Sequence, residues 1–170
     1  MQTIEEIHRS LGIPPSYGRD PPLPRFHEAT ELVAVEPNIV GRMQELTPET
    51  AAAWSEMKAR AQEDGVALLL VSGFRSIARQ IALIRQKLAQ GQTLDEILKV
   101  NAAPGFSQHH TGKVVDVATP GCRPLTEEFE MTPAFGWLCR NAAGFGFRLA
   151  YPRDNDEGFC YEPWHWSRLP

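Results

Sequence analysis

The sequence predicts an α+β domain in which a central antiparallel sheet carries a candidate metal site and helices pack outside it. Three observations point there. The continuous apolar run Val66-Ala67-Leu68-Leu69-Leu70-Val71 has the length and composition of a buried central strand. Strand and helix signals follow one another in an order that gathers the strands into one sheet. The residues suited to chemistry, Arg75, His109, Asp116 and His165, fall on or beside strand candidates.

Each element has its own signal. Pro14, Pro15, Pro21, Pro22 and Pro24 crowd the stretch after Gly12. Proline fixes φ and removes an N–H donor, so residues 12–24 read as an irregular stretch of a Pro-rich arm, residues 1–30, packed on a single domain of residues 31–170. Glu31-Leu32-Val33-Ala34-Val35 is a short strand candidate. Thr47-Pro48-Glu49 supplies an N-cap, an N1 proline and an acidic first turn. Ala51, Trp54, Met57 and Ala61 continue at helical spacing, and Gly65 ends that helix. The apolar strand comes next, with Gly73-Phe74-Arg75 at its end. A helix then runs from about Ile77 to Ala89 and stops at Gly91, and the capping box Thr93-Leu94-Asp95-Glu96 opens another towards Val100. The loop around His109 leads into an alternating strand, Val114 to Ala118. Thr132-Pro133 starts a helix carrying Phe135, Leu138 and Cys139, and two closing strands cover 146–151 and 160–166.

Composition narrows the function. At 170 residues the chain can bury one core without staples, and 42% hydrophobic with 22% charged residues is a globular balance. A formal charge of −4 without a Lys/Arg run argues against nucleic acid or an anionic membrane surface as partner. No apolar stretch approaches the roughly 20 residues of a membrane span, and Met1-Gln2-Thr3-Ile4-Glu5-Glu6 lacks the regions of a signal peptide. A soluble monomer is expected, cytoplasmic as written and periplasmic or extracellular if a leader has been removed. Cys122, Cys139 and Cys160 are odd in number and lack zinc-ribbon spacing, so they read as reduced, partly buried thiols.

Two separated clusters carry the chemistry, Ser107-Gln108-His109-His110-Thr111-Gly112-Lys113-Val114-Val115-Asp116 and Glu162-Pro163-Trp164-His165. A catalytic zinc takes three ligands from His, Asp or Glu and keeps one position for water, whose pKa it lowers to about 7. His109, Asp116 and His165 fit the ligand role, with one Zn²⁺ per chain, and Glu162 fits the base that takes the proton. Gly112 lets the chain turn tightly, so that a loop residue and a strand residue converge on one ion. His110 points away from its neighbour in an extended backbone and reads as second-shell or surface.

The pattern Ser-x-His-x-x-Gly-x-x-x-Asp followed by Glu-x-x-His resembles the zinc D,D-peptidases of the VanY type. These belong to a wider group with lysostaphin, D-Ala-D-Ala metallopeptidases and the hedgehog signalling domain. Ser72-Gly73-Phe74-Arg75-Ser76 with Gln80, and the stretch Phe145–Pro152, match the same group, so that the likeness runs from roughly Leu46 to Trp166. One departure is Val114, where the family usually has a small Ala. The resemblance implies a hedgehog/D,D-peptidase-like fold, Glu162 as general base, and Arg75 either on the substrate carbonyl oxygen in the transition state or on the peptide carboxylate. A guanidinium fork suits both. It also suggests Ser107, Gln80 and Ser72 as positions that orient the substrate or the loops, Ser107 and Gln80 being favoured as substrate contacts, with a turn or cap hydrogen bond as the alternative. Trp164 reads as an apolar wall for a small methyl side chain or, like Trp166, as core.

The expected activity is a zinc-dependent D,D-carboxypeptidase that removes the terminal D-Ala from peptidoglycan stem peptides or their precursors. The rivals are an endopeptidase or D,D-dipeptidase on the same scaffold, and a non-catalytic hedgehog-like binding module. Retention of both Glu162 and Arg75 argues against the last.

Overall fold

The computed structural model describes residues 2–169. Its elements are α1 (Ile4–Leu11), β1 (Val33–Pro37), β2 (Met43–Leu46), α2 (Pro48–Glu63), β3 (Leu69–Ser72), α3 (Ile77–Ala89), α4 (Leu94–Val100), β4 (Val114–Ala118), α5 (Pro133–Asn141), β5 (Arg148–Leu149) and β6 (His165–Ser167). Short 3-10 turns occupy Gln108–Thr111, Glu127–Met131 and Ala142–Phe145. The order β3-β4-β6-β5 forms one antiparallel sheet and β1-β2 a separate hairpin. The α+β expectation holds.

The helices start where their caps stand. Ser76 accepts from the Arg79 N–H at 3.0 Å, Thr132 from the Phe135 N–H at 3.2 Å, and Thr93 and Glu96 form a reciprocal capping box. Thr47 precedes α2 as expected, but its hydroxyl donates to Thr50 Oγ1 rather than capping a backbone N–H. Gly65 and Gly91 follow their helices with left-handed backbone.

Several expectations need correction. The N-terminal arm opens with a helix that the sequence reading did not place, because Thr3 and Glu6 make a capping box for α1. Ile7, Leu11 and Ile13 then bury against Ile84, Ile97 and Phe106 in a second apolar cluster, each such side chain contributing roughly 1.5–3 kcal/mol. The apolar run does not form a central strand, since β3 lies at the sheet edge. Its outer edge is covered by the hairpin, where the Ile39 N–H donates to the Leu70 carbonyl at 3.2 Å and Asn38 Nδ2 to that of Val71 at 2.9 Å. β2 escaped the sequence reading because its buried positions are Gln44 and Leu46 while Met43 is exposed. The closing strands are far shorter than expected. Pro152 and Pro163 cannot donate to a ladder, and Asn155 fixes the intervening loop by bonding the carbonyls of Pro152 and Phe159.

β4 is buried at every position, so its alternation is in direction and not in exposure. Val115 and Val117 join Trp54, Met57, Leu138 and Trp166 in the main core. Asp116 lies between them and faces the other side. Cys122, Cys139 and Cys160 are free, but the last two are exposed and not partly buried. Among the described residues no helix is long and apolar enough to cross a membrane.

Candidate active site

Asp116 on β4 pairs in register with His165 on β6, which brings the two motifs into contact. His165 Nδ1 lies 2.8 Å from Asp116 Oδ1, and His109 Nε2 lies 3.1 Å from Oδ2. His109 reaches the site from a 3-10 turn that Gly112 ends at φ +65°, where a Cβ would come within 3.0 Å of Leu32 Cδ2. All three side chains are buried, and their ligand atoms lie within 4.8 Å of one another.

The outer nitrogens of both rings are held. His109 Nδ1–H donates to the Gly73 carbonyl at 2.7 Å, and His165 Nε2 stands 3.2 Å from Gln108 Oε1, an acceptor. Both inner nitrogens therefore turn lone pairs towards the Asp116 carboxylate. Three electron-rich atoms converging in a buried site require a cation between them. A proton meets part of that requirement, and the charges show it. Burial takes His109 down to about 4 despite the pull of Asp116. Burial also acts to lower His165, but the hydrogen bond to Asp116 and the charges of Asp116 and Glu162 outweigh it and raise that ring. Asp116 itself, which burial would raise, is driven well below the carboxylate range by the charges and hydrogen bonds of His109 and His165. A divalent ion meets the whole requirement. A His/Asp/His set with fixed outer N–H groups suits zinc.

Glu162 is bound to the same site by a tight turn. Its N–H donates to the Tyr151 carbonyl and its own carbonyl accepts the His165 N–H, each at 3.1 Å. Oε2 then lies 3.6 Å from His165 Nδ1, beside the ligand atoms. Burial pushes the carboxyl up to about 7; the Asp116 charge adds to this, while those of His165 and Arg75 oppose it. Such a group takes a proton near neutrality.

Arg75 is tied in at both ends. Its N–H donates to the His109 carbonyl at 3.1 Å, its carbonyl accepts from His110 Nδ1 at 2.6 Å, and Nη1 donates to Gln80 Oε1 at 3.0 Å. Burial lowers the guanidinium pKa while the charges of Asp116 and Glu162 oppose that. His110 is fully buried and its Nε2 accepts the Gly105 N–H at 3.1 Å, so it braces the loop and is not a surface residue. Gln80 is corrected as well. It is fully buried with Nε2 on the Ala102 carbonyl at 2.6 Å, so its amide reaches Arg75 and not a substrate.

These groups open onto a cleft of about 780 Å³. Ser72, Ser107 and Trp164 line it, whereas Trp166 belongs to the core and donates to the Pro163 carbonyl at 3.0 Å. Cys160 is not among the lining residues. One position that the sequence reading left without a role stands out. Gln108, buried beside His109 in the first motif, orients His165. Tyr151 stacks on the His165 ring at 4.8 Å and 26°.

Residues 43–170 match the family profile described as VanY: D-alanyl-D-alanine carboxypeptidase. The chain belongs to the VanY family. It is 32% identical over 116 residues to a D-alanyl-D-alanine carboxypeptidase of Enterococcus faecalis, covering 62% of this chain and 41% of that protein. The structure of the LdcB LD-carboxypeptidase superposes with a TM-score of 0.73 at 30% identity, covering 85% of this chain and 70% of that one. A vancomycin resistance D,D-pentapeptidase VanY in complex with Zn(II) gives 0.64 at 26%, covering 85% and 81%. The chain spans between 36% and 65% of the length of the curated relatives it matches, 55% for YodJ of Bacillus subtilis and 41% for the enterococcal carboxypeptidase.

Proposed function

We propose that this chain is a zinc-dependent D,D-carboxypeptidase that removes the terminal D-Ala of peptidoglycan stem peptides, its catalytic unit lying within residues 31–170. The observation that carries the reading is the convergence of His109, Asp116 and His165 with an unspent carboxylate, Glu162, next to them. A bound zinc would acidify water and polarise the scissile carbonyl. His109 Nε2, an Asp116 oxygen and His165 Nδ1 would hold it. Glu162 takes the proton of the attacking water and returns it to the leaving amine. Arg75 presents its fork to the developing oxyanion or to the terminal carboxylate, and Trp164 walls the cleft beside the D-Ala methyl.

A second reading, an L,D-carboxypeptidase acting on a peptide one residue shorter, is favoured by the likeness to LdcB. Weighing the products from zinc-loaded protein and two peptides, one ending in D-Ala-D-Ala and one in L-Lys-D-Ala, separates the two. Loss of one alanine from the first peptide alone, absent in Glu162→Ala, supports the D,D reading. Loss from the second peptide alone replaces it, and no loss from either overturns both.

A further inference from the structure

α3 begins directly after the Arg75 turn and forms one wall of the cleft. Arg79, Leu83 and Lys87, spaced at i, i+4 and i+8, line it, and Arg42 from the hairpin lines it too. Arg79 and Lys87 make no side-chain hydrogen bond or ion pair with any carboxylate among the described residues, although the chain carries a net charge of −4. Lys87 is half-buried, which lowers its pKa, and the charge of Arg75 lowers it further, so the field of Arg75 reaches this part of the wall. Arg79 and Lys87, two cations on one wall of the cleft with no ion-pair partner among the described residues, make that wall attractive to an anion.

The strip is also too long for the leaving group. Arg79 and Lys87 stand about 12 Å apart along the helix axis. A carboxypeptidase releases one residue, and an extended chain advances only about 3.4 Å per residue. Only the acyl segment upstream of the cleaved bond is long enough to follow this wall. Val40 and Met43, exposed on the hairpin, add apolar lining to the same cleft.

We propose that Arg79 and Lys87 form a subsite for a carboxylate carried on the acyl segment, two or three residues upstream of the cleaved bond. The proposal rests on the carboxypeptidase reading and adds an acidic substrate class to it. Lys87 pairs with the anion in the half-buried part of the wall, and the exposed Arg79 adds its charge to the same wall.

The test uses three peptides: diacetyl-Lys-D-Ala-D-Ala, and two longer ones with D-Glu or D-Gln placed before the Lys(acetyl)-D-Ala-D-Ala segment. Values of kcat/KM are measured for wild type, Arg79→Gln/Lys87→Gln and Lys87→Glu, with calorimetric Kd on zinc-loaded Glu162→Ala and on its combination with the double variant. Wild type is expected to favour D-Glu over D-Gln roughly five- to tenfold, less at high salt. The double variant erases that preference and keeps wild-type kcat/KM on the short peptide, while Lys87→Glu inverts it. Cleavage with no preference, or a preference that survives the double variant, overturns the subsite. An equal loss on all three peptides also overturns it, because the two cations would then serve the terminal carboxylate. Charge-dependent binding without any cleavage retains the subsite and overturns the carboxypeptidase reading.

Discussion

Asp116 divides its carboxylate between two imidazoles, Oδ1 at 2.8 Å from His165 Nδ1 and Oδ2 at 3.1 Å from His109 Nε2. The β4–β6 register brings His165 to Asp116, the turn that Gly112 ends brings His109, and the Glu162–His165 turn adds the base to the same place. His165→Ala removes one of the three donors and leaves Asp116 facing an unfilled position. It is expected to weaken zinc binding by more than about 100-fold, beyond what the loss of a group that only hydrogen-bonds to a ligand costs. Competition with a chromophoric chelator reads this directly. Unchanged affinity would move the third ligand elsewhere. In wild type, chelation should lower the Tm, since a ligand at 1,000 Kd stabilises by about 4 kcal/mol.

Glu162→Gln should behave differently. The side chain stands beside the ligand atoms without being needed as one, so zinc content measured by atomic absorption should stay at wild-type level. Removing a positioned general base typically costs 10²–10⁴-fold, and kcat is expected to fall in that range. Loss of zinc instead would make Glu162 a ligand.

Glu162 also sets a pH dependence in the metal-free protein. Burial lifts its carboxyl from 4.5 to about 7. Between those values the folded chain holds a proton that the unfolded chain has released, so stability falls as pH rises. The slope approaches about 1.4 kcal/mol per unit. Glu162→Gln lacks this titration. Its Tm, relative to wild type in chelator, should therefore climb from pH 5 to pH 8, and parallel curves would refute the assignment.

How much of this was legible follows from the range of the signals. Caps at Thr93 and Thr132 and stops at Gly65 and Gly91 act within a few residues, so α2, α3, α4 and α5 could be read closely. The convergence of His109, Asp116 and His165 was legible because residue type and motif spacing constrain a metal site more tightly than they constrain a strand. The position of β3 was not, since an apolar run is buried equally well at a sheet centre or under a hairpin. The roles of Gln80 and Gln108 were hidden for a similar reason. A buried amide looks like a substrate contact until its partners, Arg75 and His165, are known from other parts of the chain.

Gln80 supplies a test of that difference. Its amide links Arg75 Nη1 to the Ala102 carbonyl. Gln80→Met keeps the volume but leaves the guanidinium without its anchor, and a buried group deprived of its partner costs about 1–3 kcal/mol. A drop in kcat of roughly tenfold is expected, with zinc content unchanged and KM little altered. A rise in KM alone would return Gln80 to a substrate contact.

Gly73 links the edge strand to the metal site. Its N–H donates to Gln44 Oε1 at 3.0 Å and its carbonyl accepts from His109 Nδ1 at 2.7 Å. A Cβ at this position would come within 2.8 Å of the Glu45 carbonyl oxygen, a backbone atom that cannot move aside cheaply. Gly73→Ala must therefore push the turn away from β2 and carry with it the carbonyl that orients His109. Loss of such an outer-shell partner costs 10–100-fold in metal affinity. The expected result is weaker zinc binding in that range, together with a lowered Tm in chelator. Gly144→Ala is the control, because no atom lies within 4 Å of its added Cβ and its backbone is not left-handed. Equal zinc affinity in the two variants would show that the Gly73 carbonyl does not hold the His109 ring.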